Sequence, residues 1–392
     1  MAEISPVYLL LTATPHNGKS DVFQNLLKLI DPHLFYSKDN LKPDKVKQVT
    51  VRNKKRAVVD MEGNRIFNQR ITTLCKISWD EKEDKAEQQL YEKIIDYVSE
   101  YYNYAKFEKN YTMILLLMLY QRIVSSSSKA ILKTLEKRYD HLKKIEDVSS
   151  QINDVDRDTF LELDGEEQLD FIEENMVFLK DTHYLKKEIE IIEGCITTAK
   201  KTIKSGNDAK FRKLLEIIDK VKKRENNPDI KMIIFTEFIE TQKYIIESLE
   251  KLDYETAYIN GNLSLGEKIR QKNLFKDEAQ FLVSTDAGGE GINLQFCHYM
   301  INYDLPWNPM KLEQRIGRID RIGQKEDVKV FNFILEGTVE EHVRNILEDK
   351  LNIIKEQFGE DKLSDILSTL QEDFNFDQIY FDAIVDDEVQ DE

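Results

Sequence analysis

The stretch FLVSTDAGGEGINLQ, residues 281–295, decides the fold more than any other part of the chain. It begins with a short apolar, β-branched run and continues into a turn with glycines at positions 288, 289 and 291. A buried strand that ends in a glycine-rich turn is typical of parallel α/β sheets, in which ligands bind at the carboxyl ends of the strands. The stretch therefore predicts an α/β fold with a site directly after the strand.

The flanking sequence supports this prediction, because short apolar runs alternate with amphipathic stretches over residues 206–345. The predicted strands are Lys231–Thr236, Thr256–Ile259, Phe281–Thr285, Met300–Tyr303 and Val328–Leu335. The predicted helices are Ala209–Lys223, Ile239–Leu252, Leu265–Phe275 and Lys311–Arg318. Strand–helix alternation with buried strands predicts a doubly wound parallel sheet, with helices on both faces.

The rest of the chain divides into three further parts. Residues 76–205 hold two glycines and no proline, and their Glu, Lys, Leu and Ile at helical spacing predict a large all-helical insertion. Residues 1–75 contain one predicted strand, Val7–Thr12, and one predicted helix, Asp21–Ile30, which cannot close a sheet. They are interpreted as the C-terminal remnant of a first α/β domain. Residues 346–392 are interpreted as a helical acidic tail.

The net charge of −17 argues at first against a polyanionic partner such as DNA. However, residues 146–175 account for −11 of it and residues 371–392 for −9, so the remainder of the chain is +3. Residues 38–76 alone hold eleven Lys and Arg against four Asp and Glu. The acidity lies in two patches, and it does not exclude nucleic acid.

Three scattered cysteines without a CxxC pair do not form a disulfide framework and suit a reducing compartment. The six histidines show no spacing typical of metal ligands. The longest apolar run, Met113–Tyr120, is far shorter than the roughly 20 residues that cross a bilayer. We therefore expect no metal site within the chain, no membrane partner and a cytoplasmic location.

The segment QRIGRIDRIGQ, residues 314–324, carries arginines at every third position. On a helix, Arg315, Arg318 and Arg321 would share one face. The planar guanidinium matches phosphate oxygens, and arginines brought to a γ-phosphate stabilise phosphoryl transfer. The alternative is a solvated basic helix. In the same way, the amides of residues 288–291 and the hydroxyls of Ser284 and Thr285 could bind a phosphate, either of a nucleotide or of a nucleic-acid backbone.

A second glycine-containing loop, ATPHNGKS at residues 13–20, fits a relaxed phosphate-loop pattern between a strand and a helix. In that interpretation Lys19 meets the β- and γ-phosphates and Ser20 binds Mg²⁺. Pro15 removes one of the backbone N–H groups that such a loop needs. The alternative is an ordinary strand-to-helix turn around Asn17 and Gly18.

Four segments together resemble the later motifs of superfamily-two helicases, in the same order. They are TATP at 12–15, KMIIFTEF at 231–238, residues 284–295 and residues 314–324. With WNP at 307–309 and RIGQ at 321–324, the sequence is most similar to the bacterial and archaeal Swi/Snf-like DNA translocases of this DEAD/DEAH-box type. The resemblance covers residues 7–76 and about 208–345. It implies a complete RecA-like helicase C-terminal domain, a helical insertion and a truncated first RecA-like domain.

The resemblance also implies roles for individual residues. Gln314, Arg318 and Arg321 would be catalytic, with both arginines on the γ-phosphate of ATP. The nucleotide would be bound by Gly289, Gly291 and Asn293. The DNA backbone would be contacted by Thr236, Ser284, Thr285 and Gly288. Thr12 and Thr14 would couple the two sites. Arg315 is left open, and so is the basic stretch Arg52, Lys54, Lys55 and Arg56, which fits a DNA-facing segment or a solvated face.

The function implied is the C-terminal half of an ATP-dependent DNA translocase. Its ATP site would be completed by an N-terminal RecA-like half in cis or in trans, and the duplex would be held by sequence-independent backbone contacts. In that family the phosphate-loop lysine and the Asp-Glu metal motif lie upstream of TATP. Mg²⁺ is therefore expected only in the complete motor, and the chain alone is expected not to hydrolyse ATP. Two alternatives stay open: a non-catalytic DNA- or partner-binding half acting in trans, and a phosphate-loop NTPase that uses Gly18, Lys19 and Ser20.

Overall fold

The computed structural model describes residues 10, 20–37, 40–41, 43–50, 61–63, 67–145, 167–168, 182–206, 208–289, 291–306, 309–342 and 344–345. The chain divides into two compact units, one of residues 1–65 with 342–392 and the other of residues 66–341. The predicted strand Val7–Thr12 and the predicted acidic tail beyond residue 345 lie outside the described residues.

In the first unit, the described helices are α1, Ser20–Ile30, and α2, Pro43–Val49. The chain after α1 folds back so that Leu27 and Phe35 are buried, and the Gln24 side chain donates to the Phe35 carbonyl at 3.0 Å. This unit thus contains the helix predicted at Asp21–Ile30, one residue longer at its start.

The second unit contains a six-stranded sheet in which every neighbouring pair is parallel. Its strands are β1, Arg70–Ile77; β2, Met232–Phe235; β3, Thr256–Ile259; β4, Phe281–Ser284; β5, Tyr299–Asn302; and β6, Val328–Leu335. The strand order is β1-β6-β5-β2-β4-β3. The predicted parallel α/β fold is confirmed.

Nine helices belong to the described part of this unit. They are α3, Lys85–Phe107; α4, Tyr111–Ser126; α5, Ser128–Ile145; α6, Thr182–Ser205; α7, Ala209–Glu225; α8, Ile239–Glu250; α9, Leu265–Asp277; α10, Asp286–Gly289; and α11, Pro309–Ile316. The four helices predicted around the sheet agree with α7, α8, α9 and α11 to within two residues at each end. Caps set two of the starts: Asp208 accepts from the Phe211 amide, and Ser264 forms a capping box with Glu267.

The helices cover both faces of the sheet, as side chains that alternate along β2 show. Ile234 packs in one cluster with α7 and α8, through Ile218 and Ile245. Ile233 packs in the opposite cluster with α9, through Phe275, and with α11, through Ile316. Because both faces are buried, the central strands read as continuous apolar runs, which explains why they were recognisable in the sequence.

Strand β1 lies at the edge of this sheet, which differs from the interpretation of residues 1–75 as part of a first domain. All eight residues of Arg70–Ile77 pair with Val328–Leu335 of β6. Only one face of β1 is buried, at Cys75 and Ile77, so its sequence RITTLCKI lacks the continuous apolar run of the other strands. An edge strand with a polar outer face leaves a weak signal, and the boundary of the second domain therefore falls before residue 70.

Helices α3, α4, α5 and α6 make up the helical insertion, here defined as residues 85–205. Its core contains the buried rings of Tyr97, Tyr101 and Tyr120 among aliphatic side chains. A buried ion pair joins α5 to α6, because Arg138 donates twice to Glu188 Oε1, at 2.7 and 3.0 Å. The Tyr97 hydroxyl of α3 donates to the same oxygen at 2.8 Å. Polar groups inside an apolar bundle specify one arrangement of these helices.

The start of α3 meets the start of α7 at a pair of buried carboxylates. Glu87 Oε2 accepts from the Ala209 amide at 3.0 Å, and Asp208 Oδ1 accepts from the Tyr303 hydroxyl at 3.1 Å. Burial, reinforced by the neighbouring Asp208 carboxyl, raises the pKa of Glu87 to about 8. The folded protein therefore holds a proton on Glu87 that the unfolded chain releases near pH 4.5.

This shift predicts a pH dependence of stability. Because the pKa of Glu87 is higher in the folded than in the unfolded protein, its contribution to the free energy of unfolding is fully present below pH 4.5. This contribution is lost as the pH rises to about 8, by up to about 1.4 kcal/mol per pH unit. Glu87→Gln keeps the neutral form, so its unfolding free energy relative to wild type should increase across this range. Urea denaturation at a series of pH values measures the difference. Glu92→Gln, at an exposed position of α3, is the control; a Glu87→Gln difference that does not change with pH would contradict the assignment.

Candidate functional site

The carboxyl ends of the parallel strands form one edge of the sheet, here called the carboxyl edge, and the sequence motifs follow those ends. Thr236 and Glu237 follow β2, residues 285–295 follow β4, and Asp304 follows β5. Segment 314–324 joins them through α11. In open α/β sheets this edge is where ligands bind, so the topology brings the motifs of the sequence to one place.

Close packing, rather than an exposed phosphate cradle, accounts for the first glycines after β4. A Cβ on Gly288 would lie 2.4 Å from the Asn260 Cα, and a Cβ on Gly289 would lie 3.1 Å from the Phe235 ring. Ser284, Thr285, Gly288 and Gly289 are buried, and the Thr285 amide donates to the Ile259 carbonyl at 3.0 Å. Gly291 differs, because it is exposed, has φ +73° and has open space around its Cα.

The loop after α10 contacts the arginine segment directly. The Leu294 amide donates to the Arg318 carbonyl at 3.1 Å, and the Gln324 side chain donates to the Cys297 carbonyl at 2.9 Å. Gly291 and Asn293 therefore lie on the loop that runs beside Arg318. One backbone hydrogen bond therefore joins the loop that the sequence assigned to the nucleotide to Arg318, which the sequence assigned to catalysis.

Arg315 is a buried structural residue, only 2% exposed. It donates to both carboxylate oxygens of Asp286, at 2.5 and 2.6 Å, and to the Asn302 side chain at 3.2 Å and the Asp304 carbonyl at 2.7 Å. Burial alone would lower the pKa of Arg315, but the Asp286 carboxylate outweighs it and the net shift is upward. Arg315 thus stays charged and ties α11 to α10. The sequence left the role of Arg315 open, and its contacts in the structure are with protein groups.

The prediction that Arg315, Arg318 and Arg321 share one helical face is wrong. Helix α11 ends at Ile316, and the Arg318 amide donates to the Arg315 carbonyl in a tighter turn. Gly317 lies where the chain leaves the helix. A Cβ at this position would lie 3.3 Å from the Glu313 carbonyl oxygen, which is a tight contact. As a result Arg315 points into the protein, while Arg321 is exposed and Arg318 is half-buried.

Gln314 is exposed at the end of α11, one residue after Glu313. Glu313 accepts from both terminal nitrogens of Arg70, at 2.8 and 2.6 Å, so β1 holds α11 from its outer side. Bidentate geometry restricts the rotation of the helix. Sequence reasoning did not identify this pair, because Arg70 lies on the strand that it did not detect.

Thr236 lies at the carboxyl edge, as expected, but it is fully buried. Its hydroxyl donates to Asp304 Oδ2 at 2.5 Å. The next residue, Glu237, accepts from Arg122 of α4 at 2.5 and 2.6 Å. Burial raises the pKa of Glu237, and the Arg122 charge opposes this. The helical insertion therefore covers the end of β2, and a DNA phosphate does not reach Thr236 in this conformation.

Sequence reasoning missed three residues of this edge: Asp304, Glu237 and Arg122. The available signal was a charged residue directly after a buried strand, in FTE at 235–237 and NYD at 302–304. Gln168 was also missed; it lies within the acidic stretch 146–175, is buried and accepts from Arg122 at 2.7 Å.

Several predicted residues lie outside the described part of the chain. They include Thr12, Thr14, Gly18 and Lys19, and also Arg52, Lys54, Lys55 and Arg56. Among the described residues, no group of three or more His, Cys, Asp and Glu side chains is arranged to hold a metal ion. None of the described helices combines the length and apolarity that a membrane span requires.

Comparison with known proteins identifies the domain. Residues 209–323 match the helicase conserved C-terminal domain. The chain is 45% identical over 172 residues to the uncharacterized ATP-dependent helicase YqhH of Bacillus subtilis, covering 44% of this chain and 30% of that protein. It is 34% identical over 149 residues to the putative ATP-dependent helicase/translocase YwqA of Bacillus subtilis, covering 37% and 16%. It is 36% identical over 110 residues to the RNA polymerase-associated protein RapA of Vibrio vulnificus, covering 27% and 11%.

Solved structures with similarity to the chain include the C-terminal part of the Fun30 ATPase domain, with a TM-score of 0.42, 16% identity and coverage of 78% of this chain and 99% of that one. Another is the Sulfolobus solfataricus SWI2/SNF2 ATPase core in complex with dsDNA, with a TM-score of 0.37, 18% identity and coverage of 90% and 62%. The chain spans less than a third of the length of the curated relatives named above.

The parallel sheet, the motifs gathered at its carboxyl edge and the domain match define the class: residues 209–323 are a helicase conserved C-terminal domain. Over part of its length the chain is therefore similar to proteins described as ATP-dependent helicases.

Proposed function

We propose that this chain is the C-terminal half of an ATP-dependent DNA translocase, and that it supplies Arg318 and Arg321 to an ATP site shared with an N-terminal RecA-like half. One observation carries the proposal: the bond between the Leu294 amide and the Arg318 carbonyl. It places the loop of Gly291 and Asn293 beside the arginine segment. Arg315, buried behind that segment, fixes its start.

The residues at this edge fit a nucleotide phosphate. Arg321 is exposed and Arg318 is half-buried. Gly291 has a left-handed backbone conformation and, among the described residues beyond its chain neighbours, no atom lies within 4 Å of the position that a Cβ would take, so an anion can approach the backbone amides there. Guanidinium groups bind phosphate oxygens with matched geometry. ATP, when bound, supplies the phosphoanhydride whose cleavage releases the free energy for movement. The part of this chain is to bind the phosphates and to neutralise negative charge on the terminal one.

In this proposal Mg²⁺ is held by the phosphate loop and the Asp-Glu motif of the N-terminal half. Phosphoryl transfer requires the cation and the arginines together, so turnover depends on both halves.

DNA is proposed to be held through its phosphates, independently of sequence, and the affinity should fall with salt. The assigned contacts Ser284, Thr285 and Gly288 are buried, as is Thr236. In this conformation these four residues contact other parts of the protein, so their assignment to the DNA backbone gains no support from their burial. The proposed phosphate-loop alternative at Lys19 lies outside the described residues and gains no support.

Arginine substitution tests the proposal. With an N-terminal half carrying a phosphate loop and an Asp-Glu motif supplied in trans, duplex-stimulated ATP turnover should fall roughly 10³-fold for Arg318→Ala and for Arg321→Ala. Arg224→Ala is the matched control, because Arg224 is exposed at the end of α7, which leads to the opposite edge of the sheet. Turnover that survives both substitutions would remove the arginines from the site.

A further inference from the structure

The end of helix α4 is attached to the carboxyl edge of the sheet by polar contacts. The Ser126 hydroxyl donates to Asp304 Oδ2 at 2.8 Å and lies 2.8 Å from the Thr241 hydroxyl of α8. The Ser127 hydroxyl lies 2.9 Å from the same Thr241 oxygen. Arg122, one turn earlier, holds Glu237. All of these side chains are buried, so the contact between the insertion and the sheet domain is polar and shielded from solvent. This contact is here called the joint, and its members are Arg122, Ser126, Ser127, Glu237, Thr241 and Asp304.

Asp304 is the centre of this joint and is 2% exposed. Its Oδ2 accepts from Ser126, from the Thr236 hydroxyl and from the Glu237 amide, the last at 3.3 Å. Its Oδ1 faces the buried ammonium of Lys210 at 3.3 Å. Its backbone carbonyl accepts from Arg315 Nη1 at 2.7 Å. One residue therefore touches the insertion, the end of β2 and the base of the arginine segment.

The chemistry of the joint makes it sensitive to position. Apolar packing is non-directional and tolerates small displacements, whereas hydrogen bonds weaken steeply when their angle or length departs from the optimum. Unpaired polar groups are costly in a dry interior. A shift of α4 therefore changes the position of Asp304, and Asp304 is bonded to the arginine from which Arg318 and Arg321 continue.

We infer that Ser126 and Asp304 are positioning residues: they transmit the placement of the helical insertion, through Arg315, to the arginine segment 315–321. The role in catalysis rests on the proposed function. Both residues are 2% exposed, so they act through Arg315 and not directly on a nucleotide. The docked insertion holds the arginine segment in place, and this role is here called the brace. When the insertion undocks, the segment becomes more mobile.

Hydrogen exchange of the full chain tests the brace without any nucleotide. Ser126→Ala removes the hydroxyl that joins α4 to Asp304 and leaves Asp304 with Thr236 and Lys210. Amide exchange over residues 314–321 should become about fivefold faster. Amides of β4, Phe281–Ser284, should not change, which separates local loosening from a general loss of stability.

Ser125→Ala is the matched control. Ser125 is also buried on α4, but the hydrogen bond that its hydroxyl makes among the described residues stays within the helix, to the Gln121 carbonyl at 3.0 Å. It should leave exchange over 314–321 at the wild-type rate. Equal exchange in the two variants, or faster exchange in β4 as well as in the arginine segment, would overturn the inference.

A second measurement connects the brace to turnover. In the two-half ATPase assay, Ser126→Ala should lower kcat about fivefold, and this loss should vanish when Arg318 and Arg321 are already alanine, because both changes act on the same contact. If Arg321→Ala has no effect on turnover, the proposed function fails and the exchange experiment still decides the brace. If the arginines matter and Ser126→Ala equals Ser125→Ala, only the brace fails.

Discussion

Replacing Gly288 by alanine should destabilise the sheet domain by about 3 kcal/mol, because overpacking of this kind must move backbone rather than a side chain. The new Cβ would lie 2.4 Å from the Asn260 Cα, 2.5 Å from its amide nitrogen and 2.6 Å from the Ile259 carbonyl carbon. None of these atoms belongs to a flexible side chain. Urea denaturation followed by circular dichroism measures the loss.

The matched control is Gly194→Ala, in the middle of α6, where a Cβ meets nothing within 4 Å. This substitution should stabilise the protein by about 0.5–1 kcal/mol, since alanine favours helix over glycine. The comparison also separates two roles for Gly288. A variant that folds normally and loses only DNA affinity would contradict the packing role and restore the phosphate contact.

Replacing Arg315 by methionine should cost about 3–5 kcal/mol, because it leaves the Asp286 carboxylate largely buried without its partner. The four hydrogen bonds of Arg315 join α11 to α10 and to the end of β5. Chemical denaturation of the variant measures the cost. Arg321→Ala, an exposed arginine six residues along, should change stability by less than about 0.5 kcal/mol.

A second substitution tests the cause. In Arg315→Met/Asp286→Leu both charges are gone and part of the lost stability should return, because replacing a buried pair by apolar groups is often close to neutral, while Asn302 and the Asp304 carbonyl still lack the arginine. Arg315→Lys should recover only part of the stability, since an ammonium cannot make the paired contact with both carboxylate oxygens. If Arg315→Met is as stable as Arg321→Ala, Arg315 does not hold the segment.

The central strands and the helices around them could be predicted because their local patterns are strong. β2 and β4 are continuous apolar runs, and α9 begins at a capping box. β1 could not be predicted in the same way. Half of its side chains face solvent, and its place in the sheet depends on a pairing with β6 that lies more than 250 residues away in the chain.

The arginine segment shows where a periodic pattern misleads. Three arginines at a spacing of three predict a shared helical face, but the helix ends at Ile316 and the chain turns at Gly317. Whether a guanidinium points inward depends on a distant carboxylate. Asp286 forms an ion pair with Arg315, and the chain after Ile316 continues in a turn instead of a helix.

The sequence by itself determined that a parallel α/β domain lies within residues 206–345, and which motifs follow the carboxyl ends of its strands, because both follow from local apolar runs and their order. Only the tertiary structure decided that Gly288 and Arg315 are packing residues, and that α4 docks on Asp304. Those facts depend on contacts between residues far apart in the chain. Close packing and buried hydrogen bonds are properties of the assembled interior, and no local pattern encodes them.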